Sequence, residues 1–446
     1  MKSVLIAPLA EEGHLLPTFA LARGLLSRGY RVRYLATADC ERILRDQGFD
    51  FVPLFPDLYS PELAAAQRQS LQEARSLPAV LRALRAVADH SRQILGRWLD
   101  GSAERLLAEL APDLVIVCAL RPLLALTAYK LGIPALLLSH ALSNARQPGV
   151  PPITSPLVPT GTWGRGLRIA LEWRRTLAAR AVRQRLMRWA RIEEPYAKTL
   201  RSLAAQAGFP ADRILWDTAL TPTVLMPELV LCPEVFDFPH PEIPERYFVE
   251  PLIDLERSQP SFPWERLDPT KALIYCALGS QAHRSPAAAR ILATVLQAVQ
   301  GREDWQLVMA TSKNPERLGL PPAPASAILV RSAPQLDLLE RASVMITHGG
   351  TGSLRECIFF GVPMIALAYM RDQVGNAARV AYHGLGVRED PRKVTAGQLA
   401  RDIDRLLTDE AMRGRVRAMQ QEFRRVEAER PSLAIVERYL GSGAEA

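Results

Sequence analysis

The sequence predicts an α/β protein made of two doubly wound parallel-sheet domains facing each other across a cleft, and three observations predict it. Short apolar runs alternate with longer segments of helical period, which is the rhythm of βαβ units. Between Phe236 and Pro269 the prolines crowd together without helical period (Pro239, Pro241, Pro244, Pro251, Pro260, Pro263, Pro269), the composition of a stiff connection. The chain has 446 residues, beyond the ~250–300 at which a single hydrophobic core stops growing.

The elements follow in order. Val4–Pro8 reads as a strand, Pro17–Arg28 as a helix, Val32–Leu35 as a strand, Glu41–Gln47 as a helix and Phe51–Pro53 as a strand. A long helical region from about Pro78 to Leu110 comes next, with Pro78 in its first turn and Ser76 placed to cap it. Strand Leu114–Cys118, helix Leu123–Leu131 and strand Ala135–Ser139 continue the unit. After the prolines the rhythm restarts with strand Ala272–Ala277, a turn at Leu278-Gly279-Ser280 and helix Pro286–Val299. Strands Gln306–Ala310, Ile328–Val330 and Val344–Thr347 precede a helix from Ser353 and a strand Met364–Leu367. The expected boundaries are a first domain over 1–250, a linker over 251–270, a second domain over 271–420, and a last segment, 421–446, that returns to the first as a helix. No short-period repeat appears, which excludes a solenoid.

Hydrophobic residues at 48% and charged residues at 23% describe an ordinary folded chain and exclude a mostly disordered one. The five cysteines are odd in number, widely spaced and never in C-x-x-C form, so neither a disulfide framework nor a zinc ribbon is indicated and a reducing cytosol fits. Met1-Lys2 and the apolar run behind it resemble a signal peptide only superficially, because the run is short and ends in Glu11-Glu12. Arg121 and Lys130 are among the charges that interrupt every long apolar stretch, so no transmembrane helix is expected.

The formal charge of +8 is unevenly placed: residues 161–191 hold nine arginines against Glu172 alone. Leu167, Leu171, Leu177, Val182, Leu186 and Trp189 recur among them at roughly helical intervals. Such a basic amphipathic helix either lies on an anionic membrane or packs its apolar side on the protein with a solvated arginine face. Nucleic-acid binding is disfavoured because no recognition module or stacking aromatic pattern accompanies the arginines.

Ligands of open parallel sheets bind beyond the carboxyl ends of the strands, and the main motif lies there. Thr347-His348-Gly349-Gly350-Thr351-Gly352-Ser353 follows a strand and opens a helix. Its glycines let a ligand approach the backbone, and free N–H groups with the helix dipole favour a diphosphate. Glu356 follows one turn on, then Gly361-Val362-Pro363 and the loop Asp372-Gln373; carboxylate and amide side chains suit ribose and hexose hydroxyls.

In this register, together with Ala333-Pro334-Gln335-Leu336 and the Leu278-Gly279-Ser280 turn, the sequence resembles the nucleotide-sugar site of family 1, UDP-glycosyltransferase-like enzymes of the GT-B fold. The resemblance implies an N-terminal acceptor domain and a C-terminal donor domain. His348 and Ser280, with the backbone through Gly350, Thr351, Gly352 and Ser353, would hold the diphosphate. Glu356 would hold the ribose, Asp372 and Gln373 the sugar, and the loop from Arg331 through Ser332 to Gln335 the base. Plant members carry tryptophan where Ser332 stands, so the implied donor is UDP-glucose or a dTDP-sugar, used as co-substrate with no other cofactor.

The resemblance extends to Gly13-His14-Leu15-Leu16-Pro17, where the family places its general base. A neutral imidazole can take the acceptor's proton near pH 7, and a single displacement inverts the anomeric centre. Many members orient this histidine with an aspartate at the end of the Val-Ile-Val strand, whereas here the position is Cys118. A thiol cannot stabilise an imidazolium as a carboxylate does, which points to Asp113 or the Ser139-His140 loop as helpers, to an acidic acceptor, or to weak catalysis.

Asp402-Ile403-Asp404 has the D-x-D form of metal-dependent transferases but sits in a helical stretch, where a solvated face is expected. The seven histidines form no i, i+4 pair, and no cluster with cysteine is expected, so no structural or catalytic metal is expected. Met226–Leu229, Phe236–Pro239 and Asp372–Gly386 resemble bacterial natural-product transferases, including carotenoid glucosyltransferases. Trp163 and Trp173 are candidates to line an apolar acceptor cleft. The implied function is metal-independent, inverting transfer of a hexose to a hydroxyl of a lipophilic small molecule, in the cytoplasm and with peripheral membrane contact through 161–191. Alternatives are a nucleotide-sugar-binding auxiliary protein, or another GT-B enzyme such as an epimerase or lipid-intermediate transferase.

Overall fold

Three apolar runs of the first half become strands buried throughout, Ser3–Ala7, Leu114–Cys118 and Ala135–Ser139, which is why they read as continuous rather than alternating. The structure is a computed structural model that describes the chain apart from residues 60–65, 68, 71, 72, 75, 141, 143, 162, 163, 193, 194, 281, 283–285 and 442–446. β1 (Ser3–Ala7), β2 (Arg31–Ala36), β3 (Asp50–Pro53), β4 (Leu114–Cys118) and β5 (Ala135–Ser139) are parallel, and a short antiparallel pair, β6 (Ile214–Leu215) and β7 (Thr223–Val224), stands apart. β8 (Glu228–Val230) and β9 (Arg246–Phe248) extend the sheet in the order β3-β2-β1-β4-β5-β8-β9.

Successive side chains of a strand point to opposite faces, and the core divides accordingly. Leu5, Val115, Val117 and Leu137 pack under the helices Ser102–Leu110, Leu123–Lys130 and Tyr196–Gln206. Val4, Ile6, Leu114 and Ile116 face the helix Pro17–Ser27 on the other side.

The second sheet comprises β10 (Ala272–Ala277), β11 (Trp305–Ala310), β12 (Ala327–Val330), β13 (Val344–Thr347), β14 (Met364–Ala366) and β15 (Gly386–Arg388), all parallel, in the order β12-β11-β10-β13-β14-β15. The proline-dense stretch is not all connection, because β9 lies within it and pairs with β8. Its prolines flank the three paired residues instead of occupying them, so no ladder donor is lost.

Helix Glu410–Glu429 packs on the second domain through Val416, Met419 and Phe423. Arg430, at φ +48°, turns the chain, and helix Pro431–Gly441 sends Leu433, Val436 and Leu440 into the first domain's core. Glu250 receives this helix: its carboxylate accepts from the Ser432 N–H at 3.0 Å and the Ser432 hydroxyl at 2.5 Å.

The arginine-rich segment forms helix Arg165–Trp189, but its packed side is the reverse of the one its apolar spacing suggests. Ile169 and Trp173 are buried, whereas Leu167, Leu171, Val182, Leu186 and Trp189 face solvent.

Candidate active site

Loops at the carboxyl ends of the two sheets meet. Arg371 lies 3.7 Å from Glu11, the Gly375 N–H donates to the Ile153 carbonyl at 2.9 Å, and buried Arg355 donates to the Leu231 carbonyl at 2.5 Å. Arg379 and Asp237 form a buried pair across the same seam, at 2.8 and 2.5 Å, with the guanidinium over Phe238. A Cβ at Gly375 would stand 2.2 Å from the Ile153 oxygen, so glycine is what permits this approach of backbones.

His14 lies on the single-turn helix Glu12–Leu15 that follows β1. Its Nδ1 is 3.8 Å from the Cys118 sulfur at the end of β4, and its ring stacks, tilted, on His140 just beyond β5 with centroids 4.5 Å apart. Burial holds the His14 imidazole below the ordinary histidine range, opposed by Glu11 and Asp372, whose charges favour the protonated form. Burial also pushes His140 well below that range and the Cys118 thiol up to about 12. The site therefore presents a neutral imidazole beside a neutral thiol at pH 7. Asp113 does not reach it: its carboxylate accepts from the Ser3 N–H at 2.6 Å, at the opposite end of β4. Ser139 is engaged with Glu228, which leaves His140 as the loop residue against His14.

On the facing domain, β13 runs into Gly349, at φ +81°, and then into helix Thr351–Phe360. The His348 ring fits between two glycines, since a Cβ at Gly279 would come within 2.8 Å of it and one at Gly350 within 2.4 Å. Burial brings the His348 imidazole down to about 4, so it is neutral at pH 7. Gly352 and Ser353 lie half-buried on the first helical turn, and Ser280 is half-buried after the β10 turn.

The first helical turn is tied to the Asp372 loop through Asn376. The Asn376 amide donates to the Gly349 carbonyl at 3.1 Å, to the Thr351 hydroxyl at 2.9 Å and to Asp372 Oδ2 at 3.1 Å, while the Thr351 hydroxyl donates to the same carboxylate at 3.3 Å. Burial raises the Asp372 carboxyl, with His14 the largest opposing influence. Gln373 folds back so that its Oε1 accepts from the N–H groups of Tyr369 at 3.3 Å and Met370 at 3.2 Å. No sequence motif singles out Asn376, although its place one helical turn after Asp372 is a signal for it.

Glu356 is already occupied on both oxygens. Arg257 of the interdomain connection donates to Oε1 at 2.6 Å, and the Gln335 amide donates to Oε2. Gln335 opens the short helix Gln335–Leu339 and accepts from the Tyr275 hydroxyl at 3.2 Å, while Ser332 is exposed just past β12. No motif marks Arg257, whose partner is 99 residues away.

Trp173 is 2% exposed, and its indole N–H donates to the Val150 carbonyl at 2.9 Å; it anchors helix Arg165–Trp189 and offers no free face to a ligand. Trp163 lies outside the described residues. The D-x-D pair is only partly a solvated face: Asp402 is buried, whereas Asp404 is half exposed and held by Arg302 at 2.7 and 2.9 Å. His14, Cys118 and His140, scattered in sequence, form a His/Cys cluster that spacing alone does not reveal.

Residues 213–424 match the family model for UDP-glucoronosyl and UDP-glucosyl transferase. The chain is 24% identical to NDP-glycosyltransferase YjiC of Bacillus subtilis, covering 97% of this chain and 96% of that one, and 27% identical to zeaxanthin glucosyltransferase of Pantoea ananas, covering 95% and 92%. Among solved structures it resembles the calicheamicin glycosyltransferase CalG4 (TM-score 0.65, 22% identity, 99% and 98% covered) and the glycosyltransferase VinC in complex with dTDP (TM-score 0.64, 19% identity, 100% of each covered). The paired parallel sheets, the glycine-rich loop on the second and the whole-length similarity agree: the fold is that of the GT-B glycosyltransferases, and the chain resembles their family 1 members along its length.

Proposed function

We propose that the protein transfers a hexose, glucose in the first instance, from a UDP- or dTDP-sugar to a hydroxyl of a lipophilic natural product of the polyketide or carotenoid kind. The observation that carries this reading is the meeting of a neutral His14 with the Asp372 loop across the domain seam. His14 removes the acceptor proton through Nε2, the nitrogen turned away from Cys118, as the oxygen attacks the anomeric carbon from the side opposite the diphosphate. The configuration inverts and no covalent intermediate forms. The diphosphate's growing charge is met by backbone N–H groups at the start of helix Thr351–Phe360, by the helix dipole and by neutral His348 as a donor. Transfer then needs no divalent ion, because leaving-group charge is carried by fixed dipoles.

Asp372 and Gln373 bind sugar hydroxyls in this reading, Asp372 being held in place by Thr351 and Asn376. Glu356 binds the ribose through its remaining lone pairs, since an ionised carboxylate offers about four acceptor sites and two are taken. Ser332 and Gln335 flank the base. The zeaxanthin and calicheamicin names of the relatives support an apolar acceptor.

The exposed stripe of helix Arg165–Trp189 supports peripheral contact with an anionic membrane, where such an acceptor would be dissolved. At 3.6 residues per turn, Leu167, Leu171, Val182, Leu186 and Trp189 fall within an arc of roughly 100°, opposite the buried Ile169 and Trp173. No described helix is long and apolar enough to cross a membrane.

Calorimetric titration with UDP-glucose, UDP and dTDP-glucose tests the donor assignment. Asp372→Ala should weaken binding of the sugar nucleotide and leave UDP unaffected; equal weakening of both would remove Asp372 from the sugar site.

A further inference from the structure

We propose that His14, Cys118 and His140 form a three-ligand site for a thiophilic divalent cation of the zinc class, and that an ion bound there switches His14 off as a base. Adjacent parallel strands β1, β4 and β5 each deliver one ligand beyond or at the carboxyl end, so the cluster is built into the sheet. One donor atom from each residue lies within 4.8 Å of the others, and His14 Nδ1 is 3.8 Å from the Cys118 sulfur. Zinc bonds of about 2.0–2.3 Å in tetrahedral arrangement place ligand atoms roughly 3.3–3.8 Å apart, so modest side-chain movement closes the site.

His140 supplies the independent observation. It is 6% exposed, and neither ring nitrogen makes a hydrogen bond of ordinary geometry among the described residues, the His14 backbone being the polar group beside it. A buried imidazole left unsatisfied at both nitrogens is costly, and an ion shared with His14 and Cys118 would satisfy one of them. Two imidazoles and one thiolate are a zinc-type donor set with a fourth position for solvent.

Binding releases the Cys118 thiol proton to solvent and forms the metal–sulfur bond. With Nδ1 on the ion, the neutral His14 imidazole must carry its proton on Nε2. That nitrogen is then a donor and cannot accept a proton from the acceptor hydroxyl. This switching half rests on the base role proposed for His14; the site itself does not.

The test is titration of the full-length chain, stripped by chelator, with Co²⁺ and then Zn²⁺. One equivalent of Co²⁺ should bring up a thiolate-to-cobalt charge-transfer band with the visible bands of four-coordinate cobalt, and Zn²⁺ should erase both. Cys118→Ser should lose the charge-transfer band, and His140→Ala should bind at least about 100-fold more weakly, with thermal melting and UDP affinity confirming that each variant is folded. Absence of the band in the wild-type chain overturns the site without reference to any variant, as does unchanged affinity in folded His140→Ala. Zinc should inhibit sugar transfer reversibly while UDP affinity holds; undiminished transfer by the zinc-loaded chain overturns the switch. An active His14→Ala would instead sink the base assignment, which the cobalt spectrum does not depend on.

Discussion

Arg257 reaches from the connection between the domains to Glu356, 2.6 Å away, and the pair is nearly sealed from solvent, with side-chain exposures of 12% and 9%. The carboxylate proposed to hold the ribose thus also ties the connection to the second domain. Arg257→Ala leaves that charge without its partner, and should cost about 1–3 kcal/mol in urea unfolding. Adding Glu356→Gln to Arg257→Ala should restore most of the loss; additive losses would show that the two side chains do not act as a pair.

Gly350→Ala should cripple donor binding without unfolding the chain, because the new methyl would stand 2.4 Å from the His348 ring. We expect UDP affinity to fall on the order of 100-fold, the consequence of displacing a ring and a backbone donor together. Wild-type affinity in a Gly350→Ala chain would show that the diphosphate is held elsewhere.

His14→Ala should reduce transfer by about 10²–10⁴-fold, the usual contribution of a positioned base, with donor affinity unchanged in calorimetry. Retained transfer would assign proton removal to another group.

Glu427 and Glu250 make stability depend on pH. Burial, then the Glu250 charge, lifts the Glu427 carboxyl to about 7, and burial raises Glu250 as well. Between the ordinary glutamate value and 7 the folded chain keeps a proton that the unfolded chain has released. Stabilisation is therefore full below the ordinary value and lost as pH rises through 7, by about 2 kcal/mol after allowing for partial solvation. Urea midpoints should fall from pH 5 to pH 8 in the wild-type chain and fall much less in Glu427→Gln.

The arginine helix should bind vesicles containing phosphatidylserine and release them at high salt. Leu186→Ser with Trp189→Ser should abolish co-sedimentation while leaving the melting temperature unchanged, since both side chains face solvent. Binding that survives both substitutions would place the contact elsewhere.

What was legible in the sequence was what depends on local pattern. β1, β4, β5 and β10 announce themselves because strands covered on both faces are apolar throughout, and the Gly349-Gly350 loop because its backbone demands residue types that few sites need. β8 and β9 did not, since three paired residues between prolines carry no period. The neighbourhood of His14, Cys118 and the Ser139-His140 loop was legible only through the family resemblance, and the Arg257–Glu356 pair not at all, because sheet order and interdomain packing create them. The spacing of Leu167 through Trp189 correctly marked a helix, but periodicity gives an apolar face without saying what covers it; the fold buried Trp173 and left that face outward.

The chain passes between its two domains twice, once through the connection from Val249 to Lys271 and once at Arg430. Two crossings define a line, and rotation about that line is the softest relative motion left to two otherwise rigid bodies. An opening about that line would be door-like, moving the His14 and Asp372 rims apart while the hinge edge stayed shut. Severing the second crossing would turn the door into a ball joint, so that a chain ending at Arg430 would lose the reproducible alignment of its two rims along with the seal that Leu433 makes against Gly24.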